Sequence, residues 1–251
     1  MRFSNILSLL ILVSFHLSAQ TCTVNAIQFK PSIKFFATKD YTVSFPVITT
    51  RDKKIGDKIN ETIQRELIDA EFMDLPFREA MKATLENGLI SMSYSVTFNR
   101  DGICSITIAA EGCGAYCSAW YRYLNFDLNS GEIVSIDDMI KKVALNSLKD
   151  RVFKDKIVAL NKYKEEMQEA LVRQEVDSST YHWALTEVDG YCINTINMDA
   201  ISLTDSGIEI KDRCEFPHAI QSQAPSYDLV YDYKLLEGYL EERYLRIFLI
   251  K

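Results

Sequence analysis

Cys113 and Cys117 stand in a glycine-rich break, "EGCGAYCSAWYRYLNFDL", and Trp120, Tyr121, Tyr123 and Phe126 follow them. Paired cysteines do three kinds of chemistry: as thiolates they hold metal or exchange disulfides, and oxidised they pin a chain. A structural zinc site takes about four Cys or His ligands, and beyond residue 20 the only histidines are His182 and His218, neither at finger-like spacing from a cysteine pair. No metal and no cofactor is therefore expected. Thioredoxin-type exchange uses two intervening residues at a helix N-terminus that lowers a thiol pKa; here three intervene, between strand-like flanks. A disulfide clasp on a hairpin tip fits better. Of the six cysteines, Cys192 and Cys214 each end a strand-like segment and form the second expected pair, which leaves Cys22 with Cys104 by elimination.

The aromatic residues suit sugar stacking or a protein contact. Strand alternation divides them: Trp120 shares the face of Leu124, Phe126 and Leu128, whereas Tyr121 and Tyr123 share theirs with Asn125 and Asp127. Tyr116, Tyr121, Tyr123, Asn125 and Asp127 are the candidate ligand-binding residues. No catalytic residue is assigned. The chain has no G-x-S-x-G elbow, H-E-x-x-H pair or P-loop. Asp137 and Asp138 suit a helix start, where carboxylates meet the dipole. "DLNSGEIVSIDD" lacks the glycine and glutamate positions of a calcium loop and reads as a turn.

These residues need elements to hold them. "LISMSYSVTF" sets Ile90, Met92, Tyr94, Val96 and Phe98 in alternation with serine and threonine, Asp101-Gly102 turns the chain, and "ICSITIAA" and the aromatic strand complete a meander over residues 89–128. Before it, "YTVSFPVIT" reads as a strand in which Pro46 marks an edge or an end. Ile55, Ile59, Ile63 and Leu67 then describe an amphipathic helix, and a second helix runs from Pro76 to Asn87-Gly88. Residues 143–176 read as helix with Leu148, Val152, Leu160, Tyr163, Met167 and Leu171 inward; the tail reads as strands near Ile201, "GIEIK" and "RYLRIFLI", with a short helix at "DYKLLEGYL". The expected fold is a single α+β domain over residues 21–251, with sub-regions of about 41–142 and 143–251.

Residues 1–20 have one arginine, an apolar run and a small-residue end, the pattern of a signal peptide cut after Gln20. No other stretch is long and apolar enough to span a bilayer. Of 28 basic residues one, Arg2, lies in this leader, which leaves 27 against 35 acidic residues and a net charge of −8. That balance speaks against nucleic acid and anionic lipid as partners.

The order "SFPVIT", "IGDKINETI", "SMSYSVTFNRDGICSITI" and "GCGAYCSAWYRYLNFDLNSGEIVSIDDMI" resembles the extracytoplasmic domain of RsiV-type anti-sigma factors, which also accompanies PdaC-type polysaccharide deacetylases. The resemblance runs from Tyr41 to Leu240 and is most specific from Asn125 to Asp138. It departs at the hairpin tip, where Gly114-Ala115-Tyr116-Cys117 replaces an Ala-His-Pro turn. What it implies is a sensor-like or ligand-binding domain whose relatives recognise lysozyme. The expectation is a secreted or periplasmic, non-enzymatic binding module at the bacterial cell envelope, taking a lysozyme-like basic protein or peptidoglycan. The alternative is an envelope glycan-modifying enzyme or hydrolase.

Overall fold

Asp101 and Gly102 both take positive φ, 52° and 83°. That is the backbone a tight hairpin needs to follow the twist of its strands. It joins β3 (Leu89–Arg100) to β4 (Ile103–Cys113), and β4 pairs residue for residue with β5 (Cys117–Asp127), from Ile103 opposite Asp127 to Cys113 opposite Cys117. The structure, a computed structural model, describes residues 20–31 and 41–249; the expected leader, residues 1–20, lies outside them except for Gln20. Two further strands, β1 (Thr23–Phe29) and β2 (Val43–Thr49), extend the meander to a sheet of order β1-β2-β3-β4-β5. The sheet is antiparallel except where Val43 of β2 lies parallel to Met92 of β3. Pro46 is tolerated inside this sheet because its missing N–H faces the side on which β2 has diverged from β3. There the backbone of Ile48 is taken by the Asn60 side chain, at 2.8 Å and 2.9 Å.

One face of the sheet buries Ile106, Ile108, Leu124 and Phe126 beneath α1 (Lys53–Leu67) and α2 (Phe77–Glu86), which contribute Ile59, Ile63, Leu67 and Met81. The strict alternation expected for β3 holds only from Ser91 to Val96, between register shifts at Ile90 and Thr97. Val96 lies opposite Ile106 but Phe98 lies opposite Ser105, so Thr97 is an extra residue. Such a bulge turns the residues after it to the other face. Phe98 accordingly packs edge-on to Phe248 in the second core, and Val96 is left 41% exposed.

The second layer comprises α3 (Ile136–Met139), the long α4 (Lys142–Val172), α5 (Ser178–Gly190), a three-stranded sheet of β6 (Ile201–Leu203), β7 (Gly207–Ile210) and β8 (Leu229–Asp232), and α6 (Glu242–Leu249). The last corrects the expected closing strand: Tyr244 and Phe248 are one helical turn apart and both buried. Residues 233–239 form successive turns where a helix was expected, and α5 had no counterpart in the reading of the sequence. β6 is an edge strand, and its free backbone is satisfied by side chains of the first sheet. Ser105 Oγ accepts from Leu203 N at 3.2 Å, and Asn125 Nδ2 donates to Ile201 O at 3.0 Å. The outcome is an α+β domain in which Phe98 and Ile103 of the first sheet belong to the core of the second layer. No helix among the described residues is long and apolar enough to cross a membrane.

Candidate functional site

The β4–β5 tip is clamped twice. Cys113 and Cys117 are joined by a disulfide, closing the Gly114-Ala115-Tyr116 loop. At its base, Cys113 N donates to Gly88 O at 2.8 Å, and Gly88, at φ 115°, lies so close that a Cβ there would fall 2.2 Å from the Cys113 carbonyl oxygen. The Glu111 carboxylate and both sulfurs lie within 4.8 Å of one another. The sulfurs are bonded to each other, and metal needs them as thiolates, so this trio is part of the clasp. Tyr116, in the loop, is 72% exposed.

Tyr121 and Tyr123, two residues apart on β5, lie with rings parallel to within 5° and centroids 6.4 Å apart. The Arg213 guanidinium sits 3.9 Å from the Tyr121 ring centroid, and its charge also acts on the Tyr123 phenol. Burial pushes the Tyr123 phenol above its ordinary pKa, against the opposing pull of Arg213 and Lys211. Nearer the tip, the exposed His218 ring lies 4.8 Å from that of Tyr116, with Nε2 3.5 Å from the Cys117 carbonyl oxygen. Two contacts thus line the hairpin, Arg213 on Tyr121 along β5 and His218 against Tyr116 at the tip.

Arg213 is fixed from below. Lys211 to Phe216 alternates, with Asp212, Cys214 and Phe216 buried and Arg213 and Glu215 exposed. Asp212 forms an ion pair with Lys156 at 2.7 Å, both side chains being almost wholly buried, and it also accepts from Asn197 N and the Tyr227 hydroxyl. Cys214 is bonded to Cys192 at the end of α5. Anchors on both sides of Arg213 hold its stem in place, which lowers the ordering cost of using it.

The structure therefore sets Tyr121 beside Tyr123, places Tyr116 at the tip beside His218, and covers Asn125 and Asp127. Asn125 is 2% exposed and pins β6 as described. Asp127 is 7% exposed and accepts from Asn129 N at 2.8 Å and from Arg243 of α6 at 2.5 Å. Burial would raise its pKa, but these hydrogen bonds outweigh that and hold the carboxyl below its ordinary value. The face is open only near the tip, because β6 and α6 cover the rest. Asp138 closes a capping box with Ser135, as its place at a helix start implied. Two of the expected disulfides are formed; the third is not. Cys22 and Cys104 are buried thiols hydrogen-bonded to each other, which lowers the Cys22 pKa and raises that of Cys104. Arg213 and His218 escaped the reading of the sequence, since only the packing of a segment almost a hundred residues away brings them to β5. A separate groove of about 300 Å³ between α4 and β8 has its polar groups paired, with Asp155 accepting from Tyr231 and Asp228 reaching Lys211.

No protein-family model and no curated protein matches the sequence. Among solved structures the chain is similar to a DUF3298 family member from Bacteroides fragilis, with 13% identity and a TM-score of 0.55 over 91% of this chain and 96% of that one. It is also similar to a DUF3298 family protein from Pseudomonas aeruginosa, with 14% identity and a TM-score of 0.48 over 89% and 95%. The chain thus shares the fold of a DUF3298 family protein at 13% sequence identity.

Proposed function

We propose that this protein is a non-enzymatic binding module of the bacterial cell envelope, secreted or periplasmic, and that it takes a protein such as a lysozyme or a wall glycan at the β4–β5 tip. One observation carries the reading: exposed aromatic rings on a doubly clamped hairpin lie against the Arg213 guanidinium. Rigid aromatic groups with an ordered guanidinium give contact area at little entropic cost. Two disulfides fit an oxidising compartment, and the signal-peptide pattern of residues 1–20 is in keeping with export. The competing reading, a glycan-modifying enzyme or hydrolase, is weaker because two of the three carboxylates it would draw on, Asp127 and Asp138, are occupied by Arg243 and by the helix cap, which leaves only Asp137, exposed in the first turn of α3.

The test is a lysozyme pulldown together with sedimentation on purified peptidoglycan, both at low salt. Retention in either assay that is lost in a Tyr116→Ala/Tyr121→Ala double variant of unchanged stability is the expected result. If neither ligand retains the protein, the proposal fails.

A further inference from the structure

Resting on that reading, we infer that the ligand of the hairpin site is a carboxylate-bearing glycan, with Arg213 taking the carboxylate and Tyr116 the sugar face. Local charge drives the choice. The molecule as a whole is acidic, with a net charge of −7, yet the surface over Tyr121 presents the Arg213 guanidinium. Among the described residues Arg213 forms no salt bridge, whereas its neighbour Lys211 is paired with Glu209 at 2.7 Å and reaches Asp228 at 3.7 Å. The exposed guanidinium has one face laid on Tyr121. Its N–H groups form a planar fork, and such a fork matches the two oxygens of a carboxylate. Stacking on a ring also orients a guanidinium while leaving its edge free.

A basic protein would meet the guanidinium of Arg213, which has no salt-bridge partner among the described residues. A neutral glycan would leave the guanidinium unused. A sugar that carries a carboxylate, as a uronic acid or a lactyl-substituted hexosamine does, presents an apolar ring face and an anionic edge to the two parts of the site. The 72% exposed Tyr116, backed by His218 and held by the Cys113–Cys117 clasp, is the platform for the ring.

The experiment titrates the full-length mature protein, by calorimetry at low and moderate salt, with four probes: the disaccharide of N-acetylglucosamine and N-acetylmuramic acid, its methyl ester, neutral chitobiose, and tetraglutamate. The free acid is expected to bind, and to be weakened at least tenfold by esterification, by Arg213→Gln and by added salt, with chitobiose and tetraglutamate weaker still. Arg213 is exposed, so its variant is expected to keep the parent melting temperature; Arg213→Lys, which keeps charge but not the fork, is expected to recover only part of the loss. Equal binding of acid and ester, or of the wild type and Arg213→Gln, overturns the inference while leaving a glycan-binding module standing. Tetraglutamate binding as tightly as the disaccharide overturns it in favour of an acidic peptide. Binding of lysozyme with none of the saccharides overturns it and leaves the protein-binding form of the proposed function, whereas failure of the parent reading shows separately, as blank lysozyme and peptidoglycan assays.

Discussion

Asp127 shows how a residue's neighbours assign its role. A carboxylate on the aromatic strand suits ligand contact or catalysis, but here it is aimed at Asn129 and Arg243, and its pKa is lowered on folding. A carboxyl with a lowered folded pKa stabilises the fold fully above its unfolded value, about 3.9, and loses that contribution as the pH falls through the folded value. Asp127→Asn is therefore expected to cost roughly 1 kcal/mol at pH 7, since Arg243 is half-exposed and screened. The gap should close progressively below about pH 4. Urea unfolding of both proteins at pH 7 and at pH 3 checks this; a gap of constant size would place the effect elsewhere.

Between elements, short polar side chains on the first sheet satisfy the free edge of β6. Asn125→Ala removes the donor to Ile201 O and leaves a buried carbonyl unpaired, a loss expected to cost about 1–3 kcal/mol. Hydrogen exchange should report it as faster opening of β6 and β7, with the β4–β5 amides less affected; a uniform change across both sheets would argue against this seam. The same layer contains the Cys22–Cys104 contact, between the residue that leads into β1 and the middle of the first core. Cys22 is the more accessible of the two, 9% exposed against 0% for Cys104, and so the first to meet an oxidant. With glutathione disulfide as oxidant it should form a mixed disulfide that Cys104 displaces, giving a Cys22–Cys104 bond, two glutathiones and a net loss of two hydrogens from the protein. A non-reducing peptide map detects the bond; both cysteines remaining alkylatable after oxidation and unfolding would refute it.

At the scale of the whole molecule, the Lys156–Asp212 pair ties α4 to the segment that presents Arg213. A buried pair is weak evidence for stability in itself, but removing one partner leaves a buried charge uncompensated. Lys156→Met is expected to destabilise by about 3–5 kcal/mol, and the double variant Lys156→Met/Asp212→Leu by much less. Denaturant melts of the three proteins decide it; equal losses in the single and double variants would show that shape and not charge matters there. The single variant should also loosen Arg213, so ligand affinity should fall along with stability.

The sequence by itself determined the local features. Alternation and the Asp101-Gly102 turn fixed the β3–β4–β5 meander, spacing at four fixed α1, and strand pairing set Cys113 opposite Cys117. These rest on neighbours close in the chain, where side-chain period and turn chemistry act directly. Leu148, Val152, Leu160 and Met167 were legible as the inward face of α4 for the same reason, while Lys156 among them was not, because its burial depends on Asp212. Only the tertiary structure decided which part of the tyrosine face stays open. The Thr97 bulge turns Phe98 into the second core, β6 and α6 then cover Asn125 and Asp127, and Lys211 to His218 brings Arg213 over Tyr121. Alternation divides a strand into two faces, but what covers each face is set by segments far along the chain, and that is why the tyrosines were legible and their cationic partners were not.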